Sequence, residues 1–242
     1  MVDAHIITMH DNESSLARSQ ECLASIEKHC QDTVSPWLFR ASQPNTIYKD
    51  TMETFGELVQ WTWPQSHFGE GIDMQTGLYK RMYQAVDQKR VEACALSHFR
   101  LWKLCADEGK TIVVLEHDAR FTRDFDASDL SDKSWGAVGL NDPRGNTRKG
   151  QLFHAKVAAC GDGIHRVPII DEPTEPPLPM GIAGNSAYII KPAFAKKLLD
   201  EVRRTGMWPN DAIMCRQLFP ELKVVYPYYT DVQKGESTTT SI

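Results

Sequence analysis

No stretch of this chain approaches the roughly 18 consecutive apolar residues of a membrane-spanning helix. The N-terminus, Met1-Val2-Asp3-Ala4-His5, lacks the basic and long apolar regions of a secretory signal. No integral membrane segment is therefore expected, and a cytoplasmic setting is. None of the six cysteines forms a Cys-x-x-Cys pair, which removes zinc-ribbon and thioredoxin-like readings. Several fall on apolar helix faces, where a free thiol acts as a small hydrophobe, as suits a reducing compartment. Positive charge is in short supply: 27 Lys and Arg against 32 Asp and Glu give a net charge of -5. Broad binding to nucleic acid or an anionic membrane, which needs a basic field, is excluded as the main role. No G-x-G-x-x-G follows the first strand, so no dinucleotide fingerprint supports a Rossmann cofactor.

What the chain has is Thr111-Ile112-Val113-Val114-Leu115-Glu116-His117-Asp118-Ala119. An apolar, β-branched run ends in two carboxylates and an imidazole. Ligands of open α/β sheets bind outside the carboxyl ends of strands. Alternation along a strand predicts Glu116 and Asp118 on one face and His117 on the other. Two carboxylates on one face suit Mg2+ or Mn2+ and, through the ion, phosphate. A strand end capped by solvated charges is the plainer reading of the same residues.

Around this stretch the patterning reads as α/β. Residues 4–9 form a first strand, 14–30 an amphipathic helix carrying Leu16, Leu23, Ile26 and Cys30, and 37–40 a second strand. This βαβ start predicts a mostly parallel sheet. Thr8, at the end of the first strand, is a candidate substrate contact, since such turns commonly meet a nucleotide. A helix is predicted over 52–63 up to Pro64, a mobile loop over 67–73, and a short helix over 79–89 with Met82, Ala85 and Val86 inward. Glu92 to Glu108 is the clearest helix, closed by Gly109. Its His98 lies within the apolar arc, either as a satisfied core histidine or as a ligand contact. Further strands are expected over 135–140, at Phe153-to-Ala159 with Val167-to-Ile170 as its hairpin partner, and over 222–226. Asp171 to Met180 is proline-rich, a linker or a rim over a site. Glycines lead into a strand ending at Ile190, and Pro192 opens a helix at its favoured first turn. A second helix is expected from Asp211 through Leu218.

Two blocks together resemble glycosyltransferase family 25, the lipopolysaccharide and collagen galactosyltransferase-like enzymes. The first is Val91-Glu92-Ala93-Cys94-Ala95-Leu96-Ser97-His98, then Trp102, then Val113-Val114-Leu115-Glu116-His117-Asp118-Ala119, against a family pattern like E-I-G-C-x-L-S-H…W…I-L-E-D-D-A. The second is Gly184-Asn185-Ser186-Ala187-Tyr188-Ile189-Ile190, with weaker echoes at Pro209-Asn210-Asp211 and in the ending from Gln233 to Ile242. The chain departs from the pattern at His117, where the family has an acid, and at Ala93, where glycine is usual. It also lacks an arginine-rich turn after the first strand, keeping Arg18 nearby.

The resemblance implies one GT-A-like α/β domain over residues 1–242, with a central mixed, mostly parallel sheet flanked by helices and a flexible tail from about 233. It implies a metal-dependent, inverting transferase of lipopolysaccharide biosynthesis type, moving a hexose such as galactose from a UDP-sugar to a glycan or other hydroxyl acceptor. Mn2+ or Mg2+ would be held by Asp118, with Glu116 beside it toward ribose, metal or metal-bound water. Gly184, Asn185 and Ser186 would line the donor sugar, and Ser97 and His98 would reach the donor. An inverting transferase needs a general base for the acceptor hydroxyl. Asp211 is the first candidate, with a helix N-cap as its plainer role; Glu172 and Glu175 stand behind it. No histidine follows His165 to act as a second metal ligand, which leaves Asp231, Gln233 or water. A non-catalytic sugar or nucleotide binder on a degenerate transferase fold, and a metal-dependent phosphohydrolase, remain as other classes.

Overall fold

The computed structural model describes residues 1–85, 87–130, 134–144, 149–170 and 176–233. In chain order the elements are β1 (Val2–Thr8), α1 (Glu13–His29), β2 (Val34–Arg40), α2 (Ile47–Phe55), β3 (Gly71–Ile72), β4 (Tyr79–Lys80), α3 (Gln88–Glu108), β5 (Ile112–Glu116), β6 (Ala119–Phe121) and β7 (Ala137–Gly139). Then follow α4 (Gly150–Ala158), β8 (Gly163–Arg166), β9 (Ala187–Ile190), α5 (Pro192–Thr205), α6 (Asn210–Ile213), β10 (Leu222–Tyr226) and β11 (Thr230–Val232).

Seven strands form one mixed sheet in the order β2-β1-β5-β9-β7-β10-β8. Strands β2, β1, β5, β7 and β10 run parallel; β9 and β8 oppose them. The βαβ start thus carries through, as the first strand, helix and second strand predict. Helices cover both faces. Ile112, Val114, Tyr188 and Ile190 pack with Phe99, Trp102 and Leu198 from α3 and α5. Val113, Leu115, Ala187 and Ile189 pack with Cys22 and Ile26 from α1. Strand β5 is apolar on both sides because it is covered on both sides.

The helix ends follow their sequence signals. Asn12 caps α1 by accepting from the Ser15 N–H at 2.9 Å, and Asp87 caps α3 by accepting from the Lys89 N–H. Gly109 closes α3 at φ 65°, a conformation an L side chain resists.

Several short-range expectations fail. Residues 153–159 form a helix end, not a strand: only Phe153 and Val157 are buried, while Ala155 and Ala159 are exposed. A spacing of four belongs to both the strand and helix periods, so the pair misleads. The strand that follows is Gly163–Arg166, antiparallel to β10, and Val167 lies beyond it. Helix α2 runs earlier than 52–63 and stops before Gly56, which has φ 74°. Tyr79 and Lys80 pair with Ile72 and Gly71 as a small hairpin instead of opening a helix. Val86 and the tail beyond Gln233 lie outside the described residues. The helix at Asp211 ends at Ile213. Strands β6 and β11, which pair with each other, have no counterpart in the sequence reading.

Candidate active site

The carboxyl edge of the parallel strands gathers most of the ionisable residues singled out above. Strand β9 runs the other way, so it begins at this edge, and Leu115 pairs with Ala187. The Glu116 N–H donates to the Ser186 carbonyl at 2.7 Å, which binds the Gly184-Asn185-Ser186 turn to the end of β5. Gly184 has φ 65°, a conformation that favours glycine there.

Glu116 and Asp118 do not share a face. The strand ends at Glu116 and a turn over 117–118 breaks the alternation. Glu116 continues the Ile112 and Val114 side and meets α3: its Oε1 is 3.4 Å from His98 Nε2. Asp118 turns toward α1, with Oδ2 3.9 Å from Arg18 Nη1. Gln233 closes over it. The Gln233 N–H donates to the Asp118 carbonyl at 2.8 Å, and its Nε2 donates to the Arg18 carbonyl at 3.0 Å. Burial first, and Glu116 second, push the Asp118 carboxyl up to about 7, with Arg18 opposing. Arg18 is thus the basic neighbour that this chain keeps.

Asp118 Oδ1 and Gln233 Oε1 are buried with no hydrogen-bond partner, and Asn185 Oδ1 and Ser186 Oγ share that condition. A buried oxygen without a donor calls for something to satisfy it. The unpartnered Asp118 carboxylate oxygen and Gln233 amide oxygen, on residues joined by a backbone hydrogen bond, are hard donors of the kind that Mg2+ or Mn2+ prefers. The residues therefore fit a divalent cation at Asp118, with Gln233 and Glu116 as neighbours. Asp231 does not join them. Its two oxygens take Arg120 at 3.0 and 2.8 Å across the β6–β11 pair.

On the α3 side His98 is fully buried. Its Nδ1 is 2.9 Å from the Tyr188 hydroxyl oxygen, which also accepts from the Trp102 indole N–H at 2.8 Å. Asp211 lies close by, partly buried, and accepts from the Tyr83 hydroxyl at 2.7 Å. Burial raises its carboxyl above the usual range, Tyr83 pulls it down, and Glu116 adds to the rise. Asp211 is not the N-cap of α6; Pro209 holds that position and Asp211 falls in the first turn. Gly181 packs directly behind it: a Cβ there would be 2.1 Å from the Asp211 carbonyl oxygen and 2.9 Å from that of Met214. Gly181→Ala is expected to cost about 1–3 kcal/mol and to displace Asp211. Thermal denaturation and turnover measured together check it; unchanged stability would contradict the tight fit.

Two sequence candidates do other work. Thr8 is fully buried, donating to the Ile6 carbonyl at 3.0 Å and pairing with Ser19 Oγ at 2.8 Å. It fastens β1 to α1. Ser97 donates to the Ala93 carbonyl and accepts from the Ser42 N–H, both at 2.9 Å, which ties α3 to the turn after β2. Both hydroxyls are engaged within the fold. His117 is buried as well, and burial lowers its imidazole. Glu172 and Glu175 lie outside the described residues. The sequence reading gave no role to Tyr83 and none to Cys94 beyond its place in the motif. The four-residue spacing of Cys94 and His98 was a readable signal; nothing local marks Tyr83.

Among solved structures, this chain is similar to mouse xyloside xylosyltransferase 1 in its apo form, at 9% identity and a TM-score of 0.42, covering 91% of this chain and 83% of that one. Another is the galactosyltransferase LgtC in complex with donor and acceptor sugar analogs, at 12% identity, TM-score 0.42 and coverage of 97% and 87%. An active-site mutant of LgtC matches at 11%, TM-score 0.40, with 98% and 88% covered. No curated protein sequence matches significantly. The model of a family described as "Glycosyltransferase family 25 (LPS biosynthesis protein)" matches residues 14–134, half of the 242. That span holds Arg18, His98, Glu116 and Asp118, and the chain belongs to glycosyltransferase family 25.

Proposed function

We propose that this glycosyltransferase moves a hexose, with galactose as the leading donor sugar, from a UDP-sugar to a hydroxyl of a glycan acceptor, with inversion and with a divalent cation, Mn2+ or Mg2+. On this reading the described elements act as one GT-A-like catalytic unit in the cytoplasm. The observation that carries it is the pair Glu116 and Asp118, with a buried, unpartnered Asp118 oxygen and a carboxyl raised to about 7. Two crowded, poorly solvated carboxylates are costly unless positive charge completes them.

When bound, the cation would neutralise charge developing on the diphosphate leaving group. Asp118 and Gln233 would hold it, and Glu116 would face the ribose or a bound water. Arg18, beside Asp118, keeps the edge from becoming uniformly negative. Asn185 and Ser186 supply a buried amide oxygen and a hydroxyl toward the donor sugar. His98 lies beside Glu116, with Nε2 3.4 Å from Oε1. Asp211 takes the proton of the acceptor hydroxyl, and a carboxyl raised by burial is a better base near neutral pH than an ordinary one.

The test is calorimetric titration of UDP with and without Mn2+, followed by a thermal-shift panel of nucleotide sugars. UDP binding is expected to strengthen at least about tenfold with Mn2+, a difference of about 1.4 kcal/mol. No binding at millimolar UDP in either condition would sink the reading.

A further inference from the structure

We propose that Cys94, His98 and Glu116 form a binding site for a thiophilic divalent cation of the Zn2+ type, distinct in its sulfur and nitrogen donors from the oxygen donors at Asp118 but sharing Glu116 with them. Cys94 and His98 are four residues apart on α3, so both project from one face toward the end of β5. A sulfur of Cys94, a ring nitrogen of His98 and a carboxylate oxygen of Glu116 all lie within 4.8 Å of one another.

The spacing is informative. His98 Nε2 and Glu116 Oε1 are 3.4 Å apart, longer than a good N–H···O hydrogen bond. Nitrogen and oxygen ligands held about 2.0–2.1 Å from one ion at tetrahedral angles lie roughly 3.3–3.4 Å apart. The observed distance matches one edge of such a tetrahedron, and the group of three donors, within 4.8 Å of one another, would tighten on loading. Independently, His98 Nε2 is fully buried without a hydrogen-bond partner, on a side chain with no exposed surface. A buried, unpartnered ring nitrogen beside a carboxylate oxygen, on a side chain grouped with a thiol, is a ligand position.

The donor set selects the ion. One sulfur, one imidazole and one carboxylate favour Zn2+ or Co2+ over Mg2+ and Mn2+, and three protein ligands leave a fourth position open. Ligand histidines usually give their other N–H to a fixed acceptor. The Tyr188 oxygen lies 2.9 Å from Nδ1 and has two lone pairs, one for the Trp102 N–H and one for His98. On loading, the Cys94 thiol gives its proton to solvent, the sulfur bonds as thiolate, and the His98 ring proton resides on Nδ1. One proton leaves per ion bound by the thiol.

An ion here takes up an oxygen of Glu116, so its occupancy opposes donor binding. That consequence rests on the donor reading above; the site itself does not. The experiment is therefore run without nucleotide sugar. The metal-free full chain is titrated with Co2+, following the thiolate-to-cobalt charge-transfer band and the visible bands of tetrahedral Co2+, then back-titrated with Zn2+. One equivalent should bind with both signatures, and Zn2+ should bleach them. Cys94→Ser should lose the charge-transfer band and bind at least about tenfold more weakly. Cys160→Ser, which removes an exposed thiol, should keep it. Absence of the band in the unmodified protein overturns the proposal, and so does its survival in a Cys94→Ser protein with native circular dichroism. A protein that turns over no donor at all still answers the question.

Discussion

Asp118→Asn is expected to lower kcat/KM at least about 10³-fold while making the protein more stable above neutral pH. The activity loss corresponds to about 4 kcal/mol of transition-state stabilisation, ordinary for removing a charge beside a developing anion. The stability gain follows from linkage. An unfolded aspartate titrates near 3.9; in the fold burial, and then Glu116, push the Asp118 carboxyl up to about 7. The folded state therefore binds this proton more tightly. Folded wild type loses stability as pH rises from about 4 to about 7, and the full penalty remains above that range. Asparagine keeps the shape and carries no charge to desolvate, so its advantage is near zero at pH 4 and largest at pH 8. Asp118 is 20% exposed and has Arg18 at 3.9 Å, which offset part of the penalty. About 1–2 kcal/mol is expected at pH 8. Thermal denaturation at both pH values, beside donor turnover, measures it. A variant that merely misfolds loses both quantities, and full turnover by Asp118→Asn would remove this carboxylate from the mechanism.

The second large effect is at Asp211. Asp211→Asn should lower kcat by about 10²–10⁴ and leave KM within a fewfold, because the base acts on the acceptor proton in the transition state. Activity requires the ionised form, and burial raises this carboxyl. The wild-type rate should therefore fall as pH drops through a limb placed above that of an ordinary aspartate. Tyr83 supplies the opposing influence through its 2.7 Å hydrogen bond. Tyr83→Phe removes it, so the acidic limb should move to higher pH. A purely structural Asp211 would change stability and leave the limb where it was. An unshifted limb in Tyr83→Phe, together with a near-normal kcat in Asp211→Asn, would assign the base elsewhere.

Legibility in the sequence followed the range of the interactions. Long periodic segments were readable: α1, α3 and α5 lie where the apolar spacing puts them, and β5 ends at its carboxylate. Glu116, Asp118, His98 and Asp211 drew notice because acids and an imidazole on apolar elements need a reason, and the fold brings them to one edge of the sheet. The internal partners of Thr8 and Ser97 were not legible because a hydroxyl at a strand end or helix edge has many local uses, and only partners such as Ser19 and Ser42 decide among them. The shared face of Glu116 and Asp118 failed because alternation stops when the strand does. Tyr83 was invisible, because it meets Asp211 across more than a hundred residues of chain; Gln233 was named beside Asp231 as a further metal ligand, and only the fold separates the two.

The reversed strand β9 has a consequence for how the protein is made. The middle of the sheet is the pairing of residues 112–115 with 187–190. A nascent chain has nothing to place against β5 on that side until residues 187–190 have been synthesised. The edge then still waits for Asp211 and for Gln233, which closes over Asp118. Contacts this distant close late and expose β5, apolar on both faces, in the meantime. Chaperone demand during synthesis should concentrate on that interval, and no N-terminal fragment ending before residue 233 carries the assembled edge.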